Sequence, residues 1–252
     1  LLQRVGRRVQ LTSAGLVVIE TARRILREVD RMQTSVATLA GEPAGTVRLA
    51  IFQSASFALL PRTLAYLHDH APRLVLQVLQ IDPETGISMT RSREYDMVIA
   101  ESYPHHYIPE YPELHSELLV EDPLSLIVPA DSPIRSLHEA RHIPWVLERE
   151  ENTSRRWAVN QCRAAGFEPE IRYSANDMIT NVNLVRAGFA ASIVPGFILA
   201  SLSNSEGLRV VDLPGAPYRS IFTAVRADAV TTPALAMVRE AMRYAVSEAF
   251  DS

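Results

Sequence analysis

The sequence predicts an α/β protein of two similar lobes behind one long amphipathic helix. Three observations carry that prediction. Apolar residues near the start recur at alternating spacings of four and three, which is the period of a helical stripe. From residue 47 onward, short apolar strands alternate with helical stretches, the pattern of helices laid on a parallel sheet. Charge divides into a basic head and an acidic body.

The bulk composition fits. A chain of 252 residues is long enough for two compact lobes, and 47% hydrophobic composition is ordinary for a soluble globular protein. No apolar run reaches the ~18 residues needed to span a bilayer. The start, Leu1-Leu2-Gln3-Arg4, lacks the layout of a secretory signal. A cytoplasmic protein with no membrane partner is expected. The single cysteine, Cys162, excludes an internal disulfide framework and any multi-thiolate metal site. No cofactor and no bound metal are expected.

Residues 1–31 hold Arg4, Arg7, Arg8, Arg23, Arg24, Arg27 and Arg31 against Glu20, Glu28 and Asp30, a net +4, while the rest of the chain carries −8. Nucleic-acid contact therefore belongs at the N-terminus and not on the body. Residues 1–11 read as two short stretches around Gly6, a small hairpin with Arg4, Arg7 and Arg8 close to its turn. Such a tip can straddle a phosphate backbone, or be a solvated turn. Three phosphate contacts give a salt slope of only about −2.7, too little for specific recognition.

Val18, Ala22, Ile25, Val29, Met32, Val36 and Leu39 then keep one helical stripe apolar over three heptads. Thr12 or Ser13 can cap the start, and Gly41 and Pro43 end it. The stripe is narrow and its flanks are charged, which favours a partner chain over packing on its own lobe.

Residues 47–51 form the first predicted strand. Ser54 or Ser56 then caps a helix whose expected core face is Leu60, Leu64 and Leu67. Strands follow at 74–81 and 96–100, with a charged helical stretch between them, and residues 102–116 read as irregular connection. A strand at 118–128 resumes the pattern. A second series follows: strand 145–147, helix 154–165, strand 170–173, helix 177–187 and strand 191–194. Strands at 208–213 and 218–226 precede a last helix with Thr232 as cap, Pro233 in its first turn, and Leu235, Val238, Met242 and Ala245 inward.

A cleft between such lobes, at the carboxyl ends of their strands, is where ligands sit. Polar residues at the expected helix starts (Ser54 and Ser56, Thr153 and Ser154, Ser174 and Asn176) are either caps or anion sites. Anion sites would suit a small carboxylate inducer, with Arg155 or Arg156 as its partner.

His138-Glu139-Ala140-Arg141-His142 matches the zinc-protease pattern, but Pro133 and Pro144 leave it little more than two turns and no third ligand follows. A short surface helix is expected there, and a zinc hydrolase at His138 and His142 is the less favoured reading. His105, His106 and His115 read as loop residues. Cys162 has no histidine partner by spacing and is not a candidate nucleophile. No catalytic residue is assigned, and no enzyme is expected.

Leu2-Gln3-Arg4-Val5-Gly6-Arg7-Arg8-Val9-Gln10-Leu11-Thr12-Ser13-Ala14-Gly15 resembles the wing and helix start of LysR-type transcriptional regulators. The helix after it resembles their linker helix. Gly45-Thr46-Val47-Arg48-Leu49, Leu60-Pro61, Ala71-Pro72 and Tyr95-Asp96-Met97-Val98-Ile99 follow the family's first effector subdomain in order. The segment from Leu184 through Gly188 to Pro195 is similar to one near the end of the second.

The resemblance implies a type-2 periplasmic-binding-protein-like effector domain with crossover strands near residues 120 and 220. Before it stand a linker (dimerisation) helix and a remnant of a winged helix-turn-helix. The implied boundaries are 1–15 for the wing remnant, 16–43 for the linker helix, 46–119 with 221–252 for subdomain I, and 120–220 for subdomain II. It also implies a homodimer or homotetramer, and promoter DNA as a partner of the full-length protein only. The inducer would sit near Ser54, Ser56, Glu101, Ser102, Asn152, Thr153, Ser174, Asn176 and Ile193 to Pro195.

Two features depart from the family. Ala190 and Ala191 stand where a second glycine is common. Asp82-Pro83 is stiffer than the usual loop, which argues against a ligand contact there. A stand-alone solute-binding module remains the alternative of another class; it predicts a monomer without the long helix.

Overall fold

The computed structural model describes residues 1–5, 8–39, 43–106, 111–202 and 204–250. At its start, β1 (Leu2–Val5) and β2 (Arg8–Leu11) pair antiparallel, with Arg4 opposite Val9 and Val5 opposite Arg8. Arg7 and Gly6 lie outside the described residues. Helix α1 (Ser13–Leu39) follows, capped by Thr12, whose Oγ1 accepts the Gly15 N–H at 3.0 Å. Gly41, expected to stop the helix, lies outside the described residues. Along α1 the seam residues Val18, Ile25, Val29, Met32 and Val36 keep 41–62% exposure, and Ala22 is exposed as well.

The first lobe is built on β3 (Gly45–Ile51), β4 (Leu74–Gln80) and β5 (Met97–Ser102), which pair parallel with β3 in the middle. Alternation along β3 and β5 divides their side chains between two faces. Leu49, Ile51, Met97 and Ile99 join the cluster under α2 (Gln53–His70) and α7 (Pro233–Phe250). Ala50, Val98 and Ala100 face α3 (Pro83–Arg91). Gly86 lets α3 lie close on that face, because a Cβ there would stand 2.8 Å from Val98 Cγ2.

The long strand β6 (Leu114–Pro129) leaves this sheet and enters the second lobe. Its first part pairs antiparallel with β11 (Tyr218–Arg226), which returns to lie beside β5. Its second part pairs antiparallel with both β9 (Ser192–Pro195) and β10 (Leu208–Asp212). The second lobe is completed by β7 (Trp145–Leu147), α4 (Thr153–Ala164), β8 (Ile171–Ser174), α5 (Met178–Arg186) and the short α6 (Gly196–Ser201). Leu124, Leu126 and Val128 pack with Trp145, Trp157 and Cys162, while Ile127 packs with Val182, Val185 and Val194. The crossovers near residues 120 and 220 are thus present, and the sheet of the first lobe is mixed rather than parallel throughout.

Three local expectations are corrected. Helix α2 begins at Gln53 with Phe52 as its cap residue, so neither Ser54 nor Ser56 caps it. Its buried face is Ala55, Ala58, Leu59 and Leu67, whereas Leu64 is 42% exposed and Leu60 is half-buried. Large side chains dominate an apolar pattern, but here alanines (Ala55, Ala58, Ala234, Ala241, Ala245) fill the cluster shared by α2 and α7 and permit their close approach. The strand expected at 118–128 runs from Leu114 to Pro129, and α6, only one and a half turns long, left no periodic signal. In α7, by contrast, Leu235, Val238, Met242 and Ala245 are all buried as expected.

Candidate functional site

A cavity of about 490 Å³ opens between the lobes, a size suited to a small molecule. Its walls are the carboxyl ends of strands. From the first lobe come Phe52, Gln53 and Ser54 after β3, residues 80–85 after β4, and Glu101 near the end of β5. From the second come residues 148, 149 and 151–154 after β7, with Asn176 and Met178 after β8. Arg219, at the start of β11, forms the floor between them. A hydrogen bond crosses the cleft directly: the Met178 N–H donates to Gln53 Oε1 at 3.0 Å.

The floor is a buried ion network. Arg219 is 1% exposed and donates to Asp122 Oδ2 from Nε at 2.8 Å and from Nη2 at 2.6 Å. Its Nη1 donates to Glu101 Oε2 at 2.5 Å and its Nη2 to Ser54 Oγ at 2.7 Å. Asp122 also accepts the Phe197 N–H at 3.0 Å. A Cβ on Gly196 would stand 2.7 Å from Asp122 Oδ1, so glycine is what admits the carboxylate to the start of α6. Burial pushes the Glu101 carboxyl up to about 7 against the pull of Arg219, and raises Asp122 for the same reason. Burial alone would lower the Arg219 guanidinium, but the negative charges around it outweigh that and raise it.

The β7–α4 wall is organised around Glu148. Asn152 Nδ2 donates to its Oε1 at 3.1 Å, and the Ser154 hydroxyl donates to its Oε2. Burial pushes the Glu148 carboxyl up while these donors oppose it. Asn152 is the residue before α4 but makes no side-chain cap there; its Nδ2 serves Glu148 instead. Arg155 Nη1 donates to the Glu148 carbonyl at 3.1 Å and to Ser174 Oγ at 3.2 Å, while Arg156 donates to the Glu151 carbonyl and Thr153 Oγ1.

Of the residues the sequence singled out, the structure brings Ser54, Glu101, Asn152, Thr153 and Asn176 to the cavity wall. Ser56 lies further along α2, Ser102 pairs with Ser220 at the end of β5, and Ser174 donates its hydroxyl to the Glu148 carbonyl. Ile193 and Pro195 are buried on β9 against β6. These five do not line the cavity. Arg155 and Arg156 do not either; their guanidinium groups bond the Glu148 and Glu151 carbonyls. Asp82 and Pro83 do line it, contrary to expectation. Gln53, Glu148 and Arg219 were missed; polar residues at the ends of strands were the available signal.

His138 to His142 form a five-residue 3₁₀ helix, not an α-helix. Both imidazoles turn toward one side chain, because Arg141 Nη1 meets His138 Nε2 while its Nε reaches His142 Nε2, so their ring nitrogens face a guanidinium. His138 Nδ1 meets the Ala165 carbonyl at 2.9 Å, and Arg141 Nε donates to His142 Nε2 at 2.9 Å. Cys162 is buried, and burial pushes its thiol up to about 12, far from the range of a reactive thiolate. No helix among the described residues is long and apolar enough to cross a membrane.

Comparison with known proteins places these features in context. Residues 40–247 match the family described as LysR substrate binding domain. The transcriptional dual regulator GltC of Bacillus subtilis (strain 168) is 22% identical over 77% of this chain and 65% of its own length. The RuBisCO operon transcriptional regulator of Allochromatium vinosum is 24% identical over 99% of this chain and 82% of its own. Among solved structures, the Corynebacterium glutamicum OxyR C206 mutant superposes with a TM-score of 0.73 at 19% identity, covering 99% of this chain and 78% of that one. Full-length CbnR complexed with its target DNA gives 0.69 at 23% identity, covering 95% and 83%.

A carboxyl raised by burial stabilises the fold only while it is neutral. The contribution of Glu101 is fully present below its ordinary value of 4.5 and is lost as pH rises through about 7. Urea unfolding at pH 5, 6, 7 and 8 should show stability falling across this window in the parent chain. The fall should be smaller by about 1–3 kcal/mol in Glu101→Gln. Parallel profiles for the two proteins would contradict the assignment.

Proposed function

The chain belongs to the LysR substrate binding domain family, and on that footing we propose that it is the dimerising, effector-sensing part of a DNA-binding transcriptional regulator. The observation that carries the reading is a ligand-sized cavity walled by strand ends from two lobes, in a chain whose long first helix leaves an apolar seam unburied. That helix and seam weigh against a stand-alone solute-binding module. The Arg141 guanidinium, which meets both His138 and His142, weighs against a zinc hydrolase.

In this reading residues 1–15 are the wing remnant and 16–43 the linker helix. Residues 46–119 with 221–252 make one effector subdomain, and 120–220 the other. The effector contacts are Ser54, Glu101, Asn152, Thr153 and Asn176, joined by Gln53 and Asp82. Val18, Ala22, Ile25, Val29, Met32, Val36 and Leu39 pair with the same seam of a second copy, in a homodimer or homotetramer. Arg4, Arg7 and Arg8 position the wing on phosphates, so promoter reading belongs to the full-length, cytoplasmic protein.

The switch follows from the covalent layout. The lobes are joined by β6 and by the chain entering β11, and they also interlock where Phe197 of α6 enters the first lobe's core and Tyr103 enters the second's, so a change in their relative orientation repacks this junction. A ligand that touches both walls binds the closed arrangement better and shifts the population toward it. The chain runs from α1 into β3 of the first lobe, so lobe rotation alters how two paired linker helices present their wings.

Two measurements test the reading. Ile25→Glu with Met32→Glu should turn a sedimenting dimer into a monomer with an unchanged circular dichroism spectrum. Each seam side chain contributes about 1.5–3 kcal/mol when buried. Native mass spectrometry of the chain after incubation with a metabolite extract should show one small molecule per protomer, absent in Asn176→Trp, which obstructs the wall. A chain that is monomeric before substitution and carries no small molecule would contradict the proposal.

A further inference from the structure

Charge is distributed unevenly around the cavity. Asp82, Glu84, Glu101, Glu148 and Glu151 line it, against Arg149 and Arg219. Both guanidinium groups are already engaged: Arg149 pairs with Glu151 at 3.3 Å, and Arg219 with Asp122 and Glu101. Among the described residues no ion pair involves Asp82, Glu84 or Glu148.

Two of these three carboxylates stand on opposite walls. Asp82 follows β4 in the first lobe and precedes α3 without capping it, so its carboxylate is not engaged by the helix start. Glu148 follows β7 in the second lobe and is oriented by Asn152 and Ser154. The charge of Asp82 is felt at Glu148 across the cleft and pushes its carboxyl up, against a larger downward pull from Arg219. Closing the lobes brings like charges together in a less polar medium, where their repulsion grows. A cation between them reverses the sign of that interaction. An anionic ligand would make it worse, and the guanidinium of Arg219, 1% exposed, already spends its donors on Asp122, Glu101 and Ser54.

A divalent metal is the less fitting cation. Such ions take six or more oxygen ligands in a tight shell, and no group of three or more acidic, histidine or cysteine side chains among the described residues could hold one. A ligand with an extended body and an ammonium or guanidinium group fits better, because Gln53, Gln80, Thr85, Thr153 and Asn176 supply neutral hydrogen-bonding partners around the same space.

We propose that the effector of this cleft is a small organic cation, an ammonium or guanidinium compound, clasped between Asp82 of one lobe and Glu148 of the other. The inference rests on the effector-sensing reading above. It assigns closure a chemical cause: the empty cleft is held open by its own charge, and the cation both binds and draws the walls together.

The test is a titration at pH 8 and constant ionic strength, followed by calorimetry and by the thermal midpoint. One set of probes is putrescine, agmatine and choline; the other is succinate, benzoate and magnesium chloride. At least one organic cation should bind one per protomer and raise the midpoint. Asp82→Asn and Glu148→Gln should each weaken that binding tenfold or more. Glu150→Gln, an equal charge change on an exposed residue off the cavity wall, should leave it unchanged. Equal weakening by all three substitutions would reduce the effect to general surface charge and overturn the inference. Binding of a carboxylate or of magnesium alone would overturn it while leaving an effector sensor in place. Silence across both sets would overturn it as well, and the effector reading itself would fail only if the metabolite extract also left the chain empty.

Discussion

The arrangement of the two lobes depends on one buried cation. Arg219 lies almost wholly out of water, and its guanidinium reaches Asp122 on β6, Glu101 on β5 and Ser54 on α2 at once. Asp122 in turn accepts a backbone N–H from the first turn of α6. Removing such charges from water costs several kcal/mol per ion, and only near-complete hydrogen bonding offsets it. Every part of this network comes from a different element, so the network forms only when the elements are correctly registered. It fixes the floor of the cavity, and with it the distance over which the two walls can move.

Around that floor the chemistry divides cleanly. The buried positive charge is neutralised from below by Asp122 and Glu101, and the walls above are left acidic. Helix starts that would ordinarily receive an anion are turned to another use: Asn152 and Ser154 orient Glu148 instead of capping α4 or offering their donors to a ligand. With one thiol, buried and held far from its reactive form, the sequence offers no internal disulfide couple.

Much of the architecture was legible in the sequence because it is local. The α1 seam, the cap at Thr12, the strands of both lobes and the inner face of α7 all follow from periodicity and capping. The face of α2 was misjudged because its burial depends on alanines shared with α7, a tertiary fit that leucine spacing does not encode. The site was half legible. Ser54, Glu101, Asn152, Thr153 and Asn176 could be placed by their position after strands. Arg219, by contrast, is a lone arginine on a strand, a pattern indistinguishable from a solvated edge charge. Asp82 and Glu148 are separated by a whole lobe in sequence, so nothing local announces that they face the same space.

Equilibrium unfolding of Arg219→Met, followed by urea and two probes, one in each lobe, tests this organisation most directly. Losing the guanidinium strands Asp122 and Glu101 in a dry junction, and a loss of about 3–5 kcal/mol is expected. The lobes should then unfold in separate transitions, reported differently by the two probes. A variant as stable as the parent, with one coincident transition, would show that the lobes are held by something other than Arg219.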